Sequence, residues 1–210
     1  MNLVDLKIDG FVKELASDSP APGGGSVGAL AGSLAAGLAA MVGRLTVSKE
    51  KFADKHALLA PVVEEGDKLA AEALELIDKD TASFNVLMDA FKLPKNTDEE
   101  KAARSEAIQK ATVGTIDVPL RTLEVCVRSL QLARIAAEHG NPNAVSDAGT
   151  GAQMARAGAV AAAYNVRINC MGLKDKALAA EYLKKVEELM AECTKTLSEV
   201  EGLLEKALSE

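Results

Sequence analysis

Apolar side chains recur every three or four residues along most of the chain, which is the spacing of helices that bury one face. The repeat is clearest over residues 27–47, where two stripes lie on opposite sides of one predicted helix. One stripe carries the larger side chains Leu30, Leu34, Leu38, Met41 and Leu45. The other carries only glycine and alanine. We expect this helix to be covered on both sides, with a neighbouring backbone close against the small residues.

The same spacing, and the breaks in it, predict an all-α fold without strands. The predicted helices cover roughly 3–16, 27–47, 53–92, 97–139, 146–170 and 176 onward. Pro61 is expected to bend or restart the third helix, and Pro119 to kink the fourth. The expected architecture is one domain over residues 1–210, an up-and-down bundle of about six helices with two of them rich in small residues.

Composition and charge exclude several classes of protein. Lys and Arg number 24 against 31 Asp and Glu, and basic runs with interleaved aromatic residues are absent, so we expect no nucleic-acid partner. Residues 20–43 are uncharged, but their glycine and alanine provide little transfer free energy, so we expect no membrane span. The 3 cysteines and 2 histidines do not form a metal-ligand pattern. The N-terminus lacks signal-peptide features, so a cytoplasmic location is expected.

A glycine run is the first feature that a plain bundle does not require. Gly23, Gly24, Gly25 and Ser26 precede a predicted helix N-terminus, where free N–H groups bind anions or carbonyl oxygens. The same residues are also compatible with a flexible turn capped by Ser26. Both interpretations stay open on spacing alone.

Polar residues at two other helix ends are further candidates. Asn141 and Asn143 precede Asp147, and two amides beside a carboxylate could recognise a planar heterocycle. Alternatively, Ser146 or Asp147 simply caps the next helix. Lys49 follows the uncharged helix, either as a partner of the helix dipole or as a proton-transfer group. Lesser candidates are Asp80, Asn165 and Asn169.

Five segments of the chain, in order, resemble the cyclodeaminase/cyclohydrolase family of folate enzymes. They are Pro20-Ala-Pro-Gly-Gly-Gly-Ser-Val, Met41-Val-Gly-Arg-Leu-Thr46, Phe91-Lys-Leu-Pro-Lys95, Gly140-Asn-Pro-Asn-Ala-Val-Ser-Asp-Ala-Gly149 and Asn165-Val-Arg-Ile-Asn169. The resemblance implies a helical domain that dimerises and binds a tetrahydrofolate derivative without a metal or redox cofactor. One departure lies at Ser48-Lys-Glu-Lys-Phe52, where relatives commonly have Gly-Lys-Lys-Lys-Tyr, so this chain keeps Lys49 and Lys51 but lacks the middle lysine and the tyrosine hydroxyl.

The resemblance also implies a reaction through a tetrahedral carbon between N5 and N10 of the folate. A cyclohydrolase adds water to the methenyl carbon and gives 10-formyltetrahydrofolate, whereas a cyclodeaminase closes the formimino compound and releases ammonia. On this basis we assign Asp147 as charge-stabilising group and base, and Lys49 as proton shuttle. The substrate-binding candidates are Gly23, Gly24, Gly25, Ser26, Asn141, Asn143, Asp80, Asn165 and Asn169.

The cyclohydrolase is the leading hypothesis because no formiminotransferase domain accompanies the sequence. The cyclodeaminase and, more distantly, a non-catalytic dimerisation module are the alternatives. Ser26 and Lys49 lie at opposite ends of one helix, about 30 Å apart, so one pocket in one subunit cannot easily contain both. We therefore expect either a ligand lying along a cleft or an antiparallel homodimer that joins the two ends, and we favour the dimer.

Overall fold

The computed structural model describes residues 2–209, which form a bundle of six α-helices and no strand. The helices are α1 (Ile8–Leu15), α2 (Gly24–Val47), α3 (His56–Lys92), α4 (Asp98–His139), α5 (Val145–Cys170) and α6 (Lys176–Ser209). Short 3₁₀ turns cover Leu3–Asp5, Glu50–Lys55 and Pro142–Ala144. The all-α prediction is therefore confirmed.

The long helices alternate in direction around α2. Ser26, near the start of α2, contacts Asp80 late in α3, whereas Gly43, near the end of α2, lies against Leu59 early in α3. Side-chain bonds join α3 to α4, α4 to α5 and α5 to α6 in the same antiparallel sense. Helix α2 packs against α3, α4 and α5, and α6 covers α4 and α5. The bundle is therefore up-and-down, with α2 at its centre.

The stripe of small residues on α2 lets neighbouring helices come very close. A Cβ atom added to Gly158 of α5 would lie 2.7 Å from the carbonyl oxygen of Gly28 and 2.7 Å from Cys126 Sγ. A Cβ atom added to Gly32 would lie 2.9 Å from the same sulfur. A side chain at these positions would force the helices apart, so the predicted close approach of a backbone is confirmed.

The opposite stripe of α2 contradicts the sequence-based expectation, because the subunit leaves it partly uncovered. Leu34 is 49% exposed and Leu45 is 38% exposed, although both are large apolar residues. Between them, Gly37 has open space beside it, since an added Cβ atom would meet no other atom within 4 Å. The expectation failed because α3, α4 and α5 pack mainly against the small face, and within residues 2–209 the helices leave Leu34 and Leu45 exposed.

Helix α2 is long and apolar enough to cross a membrane by length and composition alone. However, 67% of its most apolar window is buried inside the bundle. Its packing against three other helices is that of a core helix.

Several predicted helix starts are wrong by a few residues. Helix α2 begins at Gly24, so Ser26 is its third residue and not its cap. Helix α3 begins at His56 after a 3₁₀ turn and continues through Pro61. Helix α5 begins at Val145 without a side-chain cap, because the preceding turn of Pro142–Ala144 is itself capped by an asparagine. Helix α4 continues through its internal proline.

Candidate active site

A cavity of about 250 Å³ lies at the N-terminal end of α2. The glycine run forms one side of it, and α3, α4 and α5 form the others. The lining residues predicted from sequence are Gly23, Gly24, Gly25, Asp80, Asn165 and Asn169. The bundle therefore brings together candidates from three separate stretches of the sequence.

Asp80 lies directly against the first turn of α2. A Cβ atom added to Gly25 would lie 2.1 Å from Asp80 Oδ1 and 2.6 Å from Oδ2, so only glycine leaves room for the carboxyl group. The Oγ atom of Ser26 is 3.1 Å from Asp80 Oδ2 and 3.0 Å from the carbonyl oxygen of Ile77. The glycine run therefore leaves space for the carboxyl group of Asp80, which α3 supplies. It is not a turn capped by Ser26.

The surroundings of Asp80 favour its protonated form more than water does. Burial raises the pKa of the Asp80 carboxyl above its usual value, and hydrogen bonds from Ser26 only partly oppose this effect. The Ser26 hydroxyl can donate to Ile77 and accept from a protonated Asp80, or donate to an ionised Asp80. This carboxyl group can therefore take up and release a proton without losing its contact. A carboxyl group with a raised pKa inside a cavity is typical of a functional site.

Two asparagines of α5 line the opposite side of the cavity. Asn165 Nδ2 donates to the carbonyl oxygen of Ala161 at 2.9 Å, and Asn169 Nδ2 donates to the carbonyl oxygen of Thr115 at 2.6 Å. These bonds fix how each amide is turned and use one of its several donor and acceptor positions. The remaining positions can bind the edge of a planar heterocycle.

The cavity also has residues that the sequence reasoning missed. Ser83, Phe84 and Leu87 of α3 and Thr115 of α4 line it. The helical spacing could have predicted the α3 residues, because they lie three, four and seven positions after Asp80 and so share its face of the helix. Phe84 and Leu87 provide an apolar wall against which a flat ring can pack.

The other candidates lie at the opposite end of α2, about 35 Å away for a helix of 24 residues. Asn141 is only 4% exposed and ties its turn to α2. Its backbone N–H donates to Thr46 Oγ1 at 2.8 Å, and its side-chain oxygen accepts from the Asn143 N–H at 3.2 Å. These bonds hold the turn of Pro142–Ala144 against the end of α2, whereas the side chain of Asn143 is exposed, and a role of either residue in binding stays a prediction.

Asp147 and Lys49 lie at this same distant end. Asp147 is half-buried in the first turn of α5, where the helix dipole favours a negative charge. Lys49 is half-buried just after α2, and its carbonyl oxygen accepts from Phe52 N–H at 3.0 Å. Neither residue lines the cavity that contains Asp80. A single subunit therefore divides the predicted site residues into two groups.

Phe52, which stands where relatives commonly have tyrosine, contacts two neighbouring lysines. The ammonium group of Lys51 lies 4.7 Å from the centre of the Phe52 ring, and that of Lys55 lies 5.6 Å from it. Phenylalanine thus keeps an aromatic face for the neighbouring lysines while lacking a hydroxyl group. Two ammonium groups therefore lie against the Phe52 ring, in the 3₁₀ turn that follows Lys49.

Metal binding and thiol chemistry depend on the histidine, cysteine and carboxylate side chains of residues 2–209. Over residues 2–209, no group of three or more His, Cys, Asp or Glu side chains is placed to bind a metal ion. The cysteines Cys126, Cys170 and Cys193 are free and buried. Burial raises the pKa of Cys126 to about 12, which keeps this thiol protonated and unreactive near neutral pH.

A family of known proteins matches most of the chain. The family described as formiminotransferase-cyclodeaminase matches residues 7–188. The chain belongs to this family. The resemblance seen in the glycine and asparagine motifs is thereby confirmed.

The relatives of this chain carry the names of two different folate activities. A methenyltetrahydrofolate cyclohydrolase of Methylorubrum extorquens is 45% identical over 88% of this chain and 89% of its own. A formimidoyltransferase-cyclodeaminase of Gallus gallus is 35% identical over 97% of this chain but only 38% of its own. The crystal structure of a formiminotetrahydrofolate cyclodeaminase from Thermotoga maritima has a TM-score of 0.87 and 27% identity, and the match covers 97% of this chain and 98% of that one.

Proposed function

We propose that this protein hydrolyses 5,10-methenyltetrahydrofolate to 10-formyltetrahydrofolate. One observation carries the proposal. A methenyltetrahydrofolate cyclohydrolase is 45% identical to this chain, and the match covers most of both chains. The cavity at the start of α2 fits this chemistry, because it combines a carboxyl group, two amides and an apolar wall. The substrate carries its positive charge on a flat ring system, which such a cavity can bind.

Asp80 is the group in this cavity that can act on the reacting carbon. Its carboxylate stabilises the cationic methenyl carbon and takes a proton from the water molecule that attacks it. The bond from that carbon to N5 then breaks, N5 takes up a proton, and the hydroxyl group of the adduct loses its proton to become the formyl oxygen. One proton is released overall. Ser26 holds the carboxyl group in place through these changes.

A homodimer completes the site in our proposal. The exposed stripe of α2 is apolar along its length, and Gly37 near its middle leaves room for a second backbone to cross. A two-fold axis near Gly37 would pack two α2 helices antiparallel. The end of α2 that carries Lys49 would then lie beside the cavity of the other copy.

Lys49 of the partner subunit is the proposed donor of the proton that N5 takes up. The same arrangement brings the partner subunit's Asp147 to the same region. The sequence alone assigns Asp147 as base and charge-stabilising group; we now propose Asp80 as the base, and the charge-stabilising role of Asp147 stays a prediction. In a single subunit these residues are too far from Asp80 to share a substrate with it.

A direct assay separates the two family activities. Loss of methenyltetrahydrofolate absorbance above the uncatalysed rate supports the cyclohydrolase, and ammonia release from 5-formiminotetrahydrofolate supports the cyclodeaminase. The second activity is a candidate because the Thermotoga maritima cyclodeaminase has the same fold over nearly its whole length. A protein that performs neither reaction, and whose melting temperature does not rise with a folate ligand, would be the non-catalytic module.

We further propose a cytoplasmic location. The three cysteines are free, which suits a reducing compartment. Folate chemistry without a disulfide requirement is compatible with that setting.

A further inference from the structure

A second cavity of about 620 Å³ lies between the later half of α3 and the earlier half of α4. Its walls are mainly apolar and belong to side chains that the proposed chemistry does not use. Val86 and Ala90 of α3, with Leu93 just after its end, form one wall, and Ala107, Ala111 and Gly114 of α4 form the other. We call this cavity the α3–α4 groove.

The groove continues from the cavity that contains Asp80. Ser83 lines both cavities, and Gly114 in the groove is followed in the chain by Thr115 in the first cavity. From Ser83 to Leu93 the groove follows the end of α3 for about 15 Å at 1.5 Å per residue. A ligand that fills the first cavity can therefore extend into the groove without leaving the protein surface.

Gly114 gives an independent reason to regard the groove as a binding surface. Glycine inside a long helix lowers the stability of that helix relative to alanine. At Gly114 no packing demand accounts for the glycine, because an added Cβ atom would meet no other atom within 4 Å. The absence of a side chain here keeps the floor of the groove open.

The rim of the groove carries a lysine suited to an anionic ligand. Asp89, which also lines the groove, is engaged in an ion pair with Lys92 at 2.8 Å. Lys101, one lysine earlier on α4, is paired with Asp98 at 2.8 Å. Lys110 is exposed at the groove, and within residues 2–209 no carboxylate forms an ion pair with it.

We infer that the α3–α4 groove binds the p-aminobenzoylglutamate arm of the folate substrate, with the benzoyl ring between the apolar walls and the glutamate carboxylate at Lys110. This inference rests on the proposed function, since it concerns the same substrate. The arm is attached at N10, beside the reacting carbon, so it must leave the first cavity close to Asp80. That cavity has room for the three fused rings of the substrate's head but not for the arm as well, and the groove begins where the arm must exit.

Filling the groove tests the inference directly. Gly114→Leu should raise the KM for methenyltetrahydrofolate by about tenfold or more and leave kcat within roughly threefold, because the variant blocks binding of a part that does not react. Gly202→Leu is the matched control, since Gly202 on α6 also has open space beside it and lies away from the groove. The control should keep the KM of the parent protein.

Charge removal at the rim provides a second test. Lys110→Ala should raise the KM by about tenfold, as expected for the loss of a charge-assisted contact, while Lys101→Ala should not change it. Free p-aminobenzoylglutamate should inhibit the parent competitively and inhibit the Gly114→Leu and Lys110→Ala variants at least several-fold less.

The two proposals fail in different ways. If the parent protein does not hydrolyse methenyltetrahydrofolate, the proposed function is wrong. If the parent is active but both groove variants keep its KM and its inhibition by p-aminobenzoylglutamate, the function stands and the groove inference is wrong.

Discussion

At the scale of single residues, the contact between Asp80 and the first turn of α2 organises the candidate site. Gly25 leaves the space, Ser26 supplies a hydroxyl group, and Asp80 supplies a carboxyl group that burial keeps easy to protonate. These three residues are tied by sterics and hydrogen bonding across more than fifty positions of sequence. Each can be changed separately, so their roles can be separated by experiment.

Asp80→Asn should lower kcat by roughly 10²-fold or more, because asparagine keeps the shape but cannot accept a proton. The free energy of unfolding of this variant should not fall along with its kcat. The folded-state pKa of Asp80 is raised, so ionisation costs folding free energy as the pH rises through that pKa, and asparagine removes this cost. Steady-state kinetics and thermal unfolding at neutral pH would check both expectations. A variant that keeps parental turnover would exclude Asp80 as the base.

The same shift predicts a pH profile. The parent kcat/KM should fall on the acid side with an apparent pKa above 3.8, the ordinary value for aspartate, because the protonated carboxyl group cannot take a proton from water. Initial rates measured across mildly acidic buffers would show this limb. If residual Asp80→Asn activity had the same acid limb, another group would be responsible for it.

Gly25→Ala should lower both activity and stability, since its Cβ atom would overlap the Asp80 carboxyl group. An overpacked contact of this kind costs about 1–3 kcal/mol of unfolding free energy. Gly23→Ala is the matched control, because the same atom at Gly23 would meet nothing within 4 Å. Equal effects of the two substitutions, measured by denaturant unfolding and turnover, would contradict the steric explanation.

At the scale of helices, α2 has two faces with different partners. The small face is buried by α3, α4 and α5, whereas the larger apolar face carries exposed leucines on either side of Gly37. Burial of such a stripe by a second copy would remove apolar surface from water along the whole helix. The packing of α2 therefore connects the fold to the proposed assembly.

Leu34→Arg should convert a dimer into a monomer, because an arginine at the middle of the stripe would place two charges near the two-fold axis. The unfolding free energy of the isolated subunit should change by less than about 0.5 kcal/mol, since Leu34 is 49% exposed within it. Leu208→Arg, at an exposed site on α6, is the control. Light scattering gives the mass of each variant in solution and so shows whether it is a dimer or a monomer. If only Leu208→Arg is a monomer, the interface lies on α6 and not on α2.

The sequence predicted the helices well because their apolar spacing is local information. It misplaced the start of α2, since glycine is a poor helix former, yet here Gly24 and Gly25 begin a helix whose first turn contacts Asp80. Asp80 was only a lesser candidate in the sequence, because its partner Ser26 is distant in sequence and no local pattern reveals their contact. The exposure of Leu34 also depends on which helices surround α2, which a periodic pattern does not specify.

At the scale of the whole molecule, the candidate residues occupy the two ends of a helix of 24 residues. The Asp80 cavity and the α3–α4 groove lie on the glycine end, and Lys49 and Asp147 lie on the other. The proposed antiparallel dimer through α2 would bring both groups into one site and would give two equivalent sites per dimer.

Co-expression of two inactive subunits tests this account most directly. Asp80→Asn and Lys49→Ala subunits, carrying different affinity tags, would be purified as the mixed dimer and assayed with methenyltetrahydrofolate. If each site uses Asp80 of one subunit and Lys49 of the other, the mixed dimer has one intact site and should recover about half of the parental rate. A mixed dimer as inactive as either variant alone would contradict a site shared between subunits.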